Sequence, residues 1–80
     1  MAISGSGAPP GAEFVPDIES RMRRIGCRKT DFCSSTYCLW ETPVKKQMVM
    51  VPNPDFVRFV PRGTGETCIR NARRLDGLVP

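Results

Sequence analysis

The sequence predicts a small, irregular α+β or mostly coil domain that is stapled by its cysteines. Leu, Ile, Val and Phe make up only 18 of the 80 residues, slightly above the fraction at which chains stay disordered. Eight prolines and seven glycines interrupt regular structure, and four cysteines offer crosslinks. Burial and conformational entropy nearly cancel in so short a chain. We therefore expect crosslinks or a binding partner to stabilise it.

Residues 1–16 are predicted to form a flexible N-terminal tail, and residues 17–80 a single small domain. Small residues, Gly and Pro dominate the tail, and such a composition neither builds a core nor completes a strand ladder. Phe14 and Val15 are expected to be the first residues that touch the domain.

The first predicted helix covers residues 17–25. Ile18, Met22 and Ile25 follow the spacing i, i+4, i+7 and form one narrow apolar stripe. Gly26 offers a stop signal. Because three helical turns are marginal alone, this helix is expected to pack against another element.

Two further short helices are predicted, over residues 31–41 and 65–75. Pro43 would end the earlier one, and a side-chain cap at Thr64 would begin the later one. A second stripe at i, i+4, i+7 starts at Cys68 and places this cysteine on the buried side.

Residues 44–60 are rich in strand formers and are predicted to form a β-hairpin or an extended ribbon laid across another protein. The sequence Pro52-Asn53-Pro54-Asp55 separates two runs of strand formers and is typical of a turn. The prolines around both runs favour edge strands. The sequence leaves both alternatives open.

The four cysteines have the spacing C-x5-C-x4-C-x29-C, and the chain contains no histidine. Two disulfides are favoured, in which Cys27 pairs with Cys33 or Cys38 and the remaining one reaches Cys68. The alternatives are a zinc site made of all four thiolates, a two-iron cluster and free buried thiols. An exposed Cys27 would have a lowered pKa, because arginine and lysine surround it.

Catalysis is not expected, and no catalytic or cofactor-binding residue is assigned. No histidine is present to act as a general base, and the carboxylates are scattered without forming a pair. Zinc is the alternative cofactor.

Nucleic acid is an alternative partner, since the net charge is +4 and aromatic residues could stack on bases. It is not favoured, because Phe56 and Phe59 are three residues apart and would face opposite sides of a strand.

The favoured function is a non-catalytic accessory subunit that docks along a larger protein complex. Its predicted interface residues are Phe14, Trp40, Phe56 and Phe59, since aromatic residues are typical interface anchors. The alternative is a secreted, disulfide-stabilised binding protein of the effector or inhibitor type.

The sequence does not determine the cellular compartment. It shows neither a secretory signal nor an apolar run of the roughly 20 residues that span a bilayer. The chain resembles, in kind only, small organelle-complex subunits that enter the mitochondrial intermembrane space without a cleaved leader and are stapled by cysteine pairs. That resemblance implies the same compartment. The twin C-x9-C pattern of the coiled-coil-helix family is absent, since Cys27 and Cys38 enclose ten residues.

Overall fold

The computed structural model describes residues 9–78, which form two helices and five strands. In chain order, the elements are β1 (Ala12–Phe14), α1 (Pro16–Arg24), β2 (Arg28–Cys33), β3 (Tyr37–Glu41), β4 (Met48–Pro52), β5 (Phe59–Pro61) and α2 (Thr64–Leu75). The strands form a two-stranded sheet, β1-β5, and a three-stranded sheet, β2-β3-β4, both antiparallel. The α+β prediction is confirmed in outline, with more strand than expected.

β1 lies inside the predicted tail of residues 1–16, where it pairs with β5. The pairing continues beyond the strand, since the backbone N–H of Arg62 donates to the Gly11 carbonyl at 2.7 Å. The tail prediction therefore needs correction at β1. Its sequence, Ala-Glu-Phe, contains neither Gly nor Pro and can complete a ladder. Residues 1–8 lie outside the described residues.

The predicted helix over residues 31–41 is wrong, because this segment belongs to a β-hairpin. β2 pairs with β3, and β4 pairs with the other side of β3. Along β3, Cys38 and Trp40 are buried while Tyr37 and Leu39 face the other way. This period of two residues belongs to a strand, and aromatic residues favour strands.

Residues 44–60 supply one strand to each sheet, so they form neither the predicted hairpin nor a ribbon. β4 pairs with β3, whereas β5 pairs with β1. Asn53 holds the turn between them. Its Oδ1 accepts the N–H of Asp55 at 3.1 Å, and its carbonyl accepts the N–H of Val57 at 2.8 Å. The proline-rich turn therefore directs the chain from one sheet to the other.

α1 confirms the first predicted helix to within one residue at each end. Ile18 and Met22 are buried and Ile25 is partly buried, as the stripe predicts. Gly26 follows with a φ of 94°. Glycine adopts this left-handed conformation without a steric penalty, and the helix ends there.

α2 confirms the third predicted helix, but its predicted cap is wrong. Thr64 is the first helical residue, and its hydroxyl donates to the Pro61 carbonyl at 2.6 Å. The N-cap position is Gly63, which has no side chain. The carboxylate of Glu13 instead accepts the backbone N–H groups of Gly63 and Gly65, at 2.7 and 3.1 Å. A residue of β1 therefore caps α2.

One hydrophobic core joins both helices to both sheets. Its buried side chains are those of Val15, Ile18, Met22, Cys27, Cys38, Trp40, Val49, Val51, Val60, Cys68 and Ala72. Trp40 is the largest of them and is fully buried. The inner face of the three-stranded sheet packs on this core, so its opposite face is turned away from the core.

Candidate interaction surface

The three-stranded sheet exposes one face that is rich in apolar side chains. Successive residues of a strand point to opposite sides, so the residues next to the buried ones of β3 and β4 point away from the core. We call four of them the outer face: Tyr37, Leu39, Met48 and Met50. Leu39 lies directly opposite Met50 in the strand register. The outer face therefore brings apolar side chains of two strands together, and two of them are adaptable thioethers.

A hollow of about 480 Å³ opens beside the outer face. Most of its lining is apolar or sulfur and comes from Phe32, Cys33, Tyr37, Cys38, Leu39 and Met50. Phe32 is 71% exposed. The volume falls within the range of pockets that hold small ligands.

A disulfide bond between Cys33 and Cys38 forms part of the wall of this hollow. The two residues are directly paired between β2 and β3, with their Cα atoms 4.0 Å apart. In the turn between these strands, the hydroxyl of Ser34 accepts the N–H of Tyr37 at 3.0 Å. A crosslink that closes so short a loop contributes about 2 kcal/mol in the chain-entropy model. It also fixes the end of the hairpin.

The structure differs from the predicted pairing of Cys27 with Cys33 or Cys38 and of the remaining cysteine with Cys68. Cross-strand pairing joins Cys33 to Cys38, and the other two are free, buried thiols. Burial raises the pKa of the Cys27 thiol, and the Asp76 carboxylate raises it further. The lowered pKa expected for an exposed Cys27 therefore does not arise.

The thiol of Cys68 lies between α2 and β4, with its Sγ 3.7 Å from the Met50 carbonyl oxygen. Burial raises the pKa of this thiol, and the Glu13 carboxylate acts in the same direction against the opposing charge of Arg21. Both free thiols are therefore poor nucleophiles in the folded protein.

The zinc alternative needs four thiolates at one point, and a two-iron cluster has the same requirement. Cys33 and Cys38 are bonded to each other and supply none. Within residues 9–78, no three side chains of His, Cys, Asp or Glu lie close enough together to hold a metal ion. The four cysteines therefore do not converge on one site.

The four predicted interface residues lie in different surroundings. Phe14 and Phe59 meet across β1 and β5, with their ring centroids 5.8 Å apart, and both are partly exposed. Phe56 is exposed in the turn before β5. Trp40 is fully buried, and the guanidinium carbon of Arg23 lies 5.1 Å from its ring centroid. Trp40 is therefore a core residue, whereas the three phenylalanines lie at the surface.

Leu39 was not predicted to lie at a surface, and Met48 and Met50 were placed at one only by the alternative of an extended ribbon over residues 44–60. The available signal was the alternation in Met48-Val49-Met50-Val51, which is typical of a strand with two different faces. Both sets of side chains are apolar, however, so the pattern alone does not show which set faces the core.

A polar pair borders the outer face. Arg28 and Glu41 are directly opposite in the pairing of β2 and β3, and their side chains form an ion pair at 2.8 Å. The hydrogen bond from Arg28 holds the pKa of the Glu41 carboxyl below its usual value. Glu41 in turn lies opposite Met48. The apolar side chains are thus followed by charged ones, as in the rim of a protein interface.

No protein-family model matches this chain, and no match to a curated protein or to a solved structure was found. Neither helix within residues 9–78 combines the length and the apolar character needed to cross a membrane.

Proposed function

We propose that this chain is a non-catalytic accessory subunit that docks on a larger protein complex through the outer face and the adjoining hollow. One observation carries the proposal: Tyr37, Met48 and Met50 are 37, 43 and 60% exposed although the opposite face of their strands already packs the core. Clustered exposed apolar side chains with a polar rim are typical of interaction sites.

The hollow favours a partner that inserts one aromatic side chain. Such buried anchors supply much of the binding free energy at protein interfaces, and the thioether of Met50 adapts to the shape of the ring. Asp31 also lines the hollow. An anchor with an N–H group, such as the indole of tryptophan, would find a hydrogen-bond acceptor there.

The non-catalytic assignment rests on what the polar side chains already do. Five carboxylates are engaged in caps, ion pairs or backbone hydrogen bonds: Glu13, Glu19, Glu41, Glu66 and Asp76. The chain also has no histidine. General acid and base catalysis needs such groups to be available to a substrate.

A disulfide in so small a protein is typical of an oxidising compartment. This supports placing the complex in the mitochondrial intermembrane space or outside the cell.

The docking proposal can be tested with a photoreactive phenylalanine analogue at position 37 or at position 56 of the full chain in its native cells. We expect position 37 to give one discrete adduct that the substitution Met50→Glu abolishes. After mass spectrometry identifies the adduct, calorimetry with the purified partner should show that Met50→Glu weakens binding at least about tenfold, as at an interface hot spot.

Phe56→Glu is the matched control, because it also adds a carboxylate at an exposed apolar residue, in the turn before β5. Its effect on affinity should stay within about twofold, as is common outside interface hot spots. An adduct that forms from position 56 and not from position 37 would move the interface to the phenylalanines. An adduct between two copies of this chain would show that the outer face mediates self-association rather than docking on a larger complex.

An independently folded, disulfide-stabilised binding protein is the second candidate. The observation that favours it is a core built within the chain from both helices and both sheets. Such a protein should be monomeric and resist heat until it is reduced, whereas an obligate subunit should unfold at low temperature without its complex.

A further inference from the structure

Three arginines from the two helices line a second cavity, which we call the arginine cleft. Arg21 and Arg24 come from α1 and its C-terminal end, and Arg73 comes from α2. The side chains of Ile25 and Ile69 complete the lining of the cleft, whose volume is about 210 Å³. None of these residues belongs to the outer face or to the hollow.

Helical spacing explains why these side chains meet. Arg21 and Arg24 are three residues apart on α1, and Ile69 and Arg73 are four apart on α2, so each pair projects from one side of its helix. The two isoleucines pack partly against the core. They form the apolar part of the cleft, while the three arginines supply its positive charge.

The charges of the cleft are only partly neutralised. Arg21 forms an ion pair with Glu66, which orients its guanidinium group. Among the ion pairs of residues 9–78, Arg24 and Arg73 take part in none. Two of the three arginines that line this space, Arg24 and Arg73, therefore carry a guanidinium group that no ion pair of the described residues neutralises.

We propose that the arginine cleft binds the phosphate group of a small, soluble phosphomonoester. The planar fork of arginine matches two oxygens of a phosphate, and charge-assisted hydrogen bonds of this kind are strong. The cleft has a volume of about 210 Å³, well above what one water molecule needs. It can hold a phosphate together with a compact carbon body that rests on Ile25 and Ile69.

The composition of the cleft disfavours a nucleic-acid strand. Strand binding relies on aromatic rings on which successive bases stack, and no aromatic side chain lines this cleft. The exposed rings of Phe32 and Tyr37 line the hollow instead.

Calorimetric titration of the full, oxidised chain with phenyl phosphate tests the proposal, with inorganic phosphate as a second probe. Phenyl phosphate should bind more tightly, because its ring covers the isoleucines. Arg73→Gln and Arg24→Gln should each weaken binding by about tenfold or more, the loss expected for one charged hydrogen bond. Arg74→Gln is the matched control: it removes the same charge from the same last turn of α2, outside the cleft, and should change affinity by less than twofold.

Equal losses from Arg73→Gln and Arg74→Gln would overturn the proposal, because only the overall charge would then matter. Tighter binding of a single-stranded oligonucleotide than of phenyl phosphate would overturn it in favour of nucleic acid. Binding to vesicles of phosphatidylglycerol without binding to phenyl phosphate would assign the arginines to a lipid surface instead. Unchanged circular dichroism of all three variants would show that folding is not the cause.

Discussion

At the scale of single residues, Glu13 connects two parts of the chain that the sequence separates. Its carboxylate accepts the N–H groups of Gly63 and Gly65, which α2 itself leaves without partners. A negative charge at this end also interacts favourably with the helix dipole. Because Gly65 has no side chain, the carboxylate can come this close.

Replacing Gly65 with alanine should destabilise the protein by about 1–2 kcal/mol, the usual cost of overpacking. A Cβ at this position would lie 2.8 Å from Oε1 of Glu13 and 2.9 Å from Nη1 of Arg21. Neither side chain is free to withdraw, since Glu13 caps α2 and Arg21 pairs with Glu66. Urea unfolding should show a lower midpoint with an unchanged slope.

The control is the same substitution in a Glu13→Ala background. Removing the cap alone should cost about 1 kcal/mol. In that background Gly65→Ala should cost much less, because one close contact is gone and alanine favours a helix over glycine by about 1 kcal/mol. An equal loss in both backgrounds would rule out crowding by Glu13.

The cap also shows that sequence rules based on neighbouring residues cannot predict a capping residue that is distant in the chain. They select Thr64 because capping residues normally lie next to the helix that they cap. Glu13 lies 50 residues upstream of Gly63. Only the pairing of β1 with β5 brings it to the end of α2.

At the scale of elements, local signals identified both helices but failed for the hairpin. α1 and α2 carry apolar stripes within their own sequence. Tertiary packing agrees with the stripe of α1 and with Cys68 and Ala72 of α2, whereas Leu75, the third member of the α2 stripe, is 37% exposed. The segment 31–41 carries a plausible helix start and stop as well. Its conformation is decided by pairing with β4, which lies outside the segment, and such pairing regularly overrides local propensity.

The C-terminal end of α2 is tied to the turn between β3 and β4 by Asp76. This buried carboxylate accepts the N–H groups of Val44 and Lys45 at 2.9 and 2.7 Å. Burial alone would raise the pKa of Asp76, but these two backbone hydrogen bonds and the charge of Lys45 outweigh it. The pKa of Asp76 is therefore lower than usual.

Stability should consequently fall at acidic pH. A carboxyl with a depressed pKa in the folded state contributes stability that is complete above its ordinary pKa, 3.8 for this residue, and is lost as the pH falls through the lower folded value. Urea unfolding at a series of pH values should show this loss. Asp76→Asn should be less stable than the unaltered chain at neutral pH and should lose less stability on acidification.

Asp55→Asn serves as the control, because Asp55 is exposed in the turn before β5. The free energy of unfolding of Asp55→Asn should fall on acidification by the same amount as that of the unaltered chain. If Asp76→Asn and the unaltered chain lost equal free energy of unfolding on acidification, other carboxyls, such as Glu41, would account for the loss of stability.

At the scale of the whole molecule, the cysteines divide into one crosslink and two protected thiols. The oxidised chain should be lighter than the reduced chain by two hydrogens, because one disulfide forms. Iodoacetamide should leave the native protein unlabelled and should label Cys27 and Cys68 after denaturation, since burial and a raised pKa suppress the reaction. Intact mass spectrometry measures both results.

A mass difference of four hydrogens would show that all four cysteines form disulfides, as predicted from the sequence. Labelling of Cys27 in the native protein would show that this thiol is accessible. Labelling of the denatured chain is the internal control, since it proves that the reagent was active.

The candidate interface was not predictable at this scale, although its residues are ordinary. Phe14 and Phe56 stand out in the sequence as aromatic residues, whereas Met50 and Leu39 become surface neighbours only through the register of β3 and β4. Their exposure depends on which face of the sheet the helices cover. That choice is made by the packing of the complete chain.

The pairing of β1 with β5 has a consequence for the order in which the protein is made. Residues 12–14 leave the ribosome before their partners, residues 59–61, and before the helix end capped by Glu13, which follow dozens of residues later. The hairpin of β2 and β3 can close during synthesis, because its two strands are separated by a short turn. The small sheet can form only after residues 59–61 have emerged, so β1 stays unpaired until β5 is available, and the core is completed only after α2 has been made.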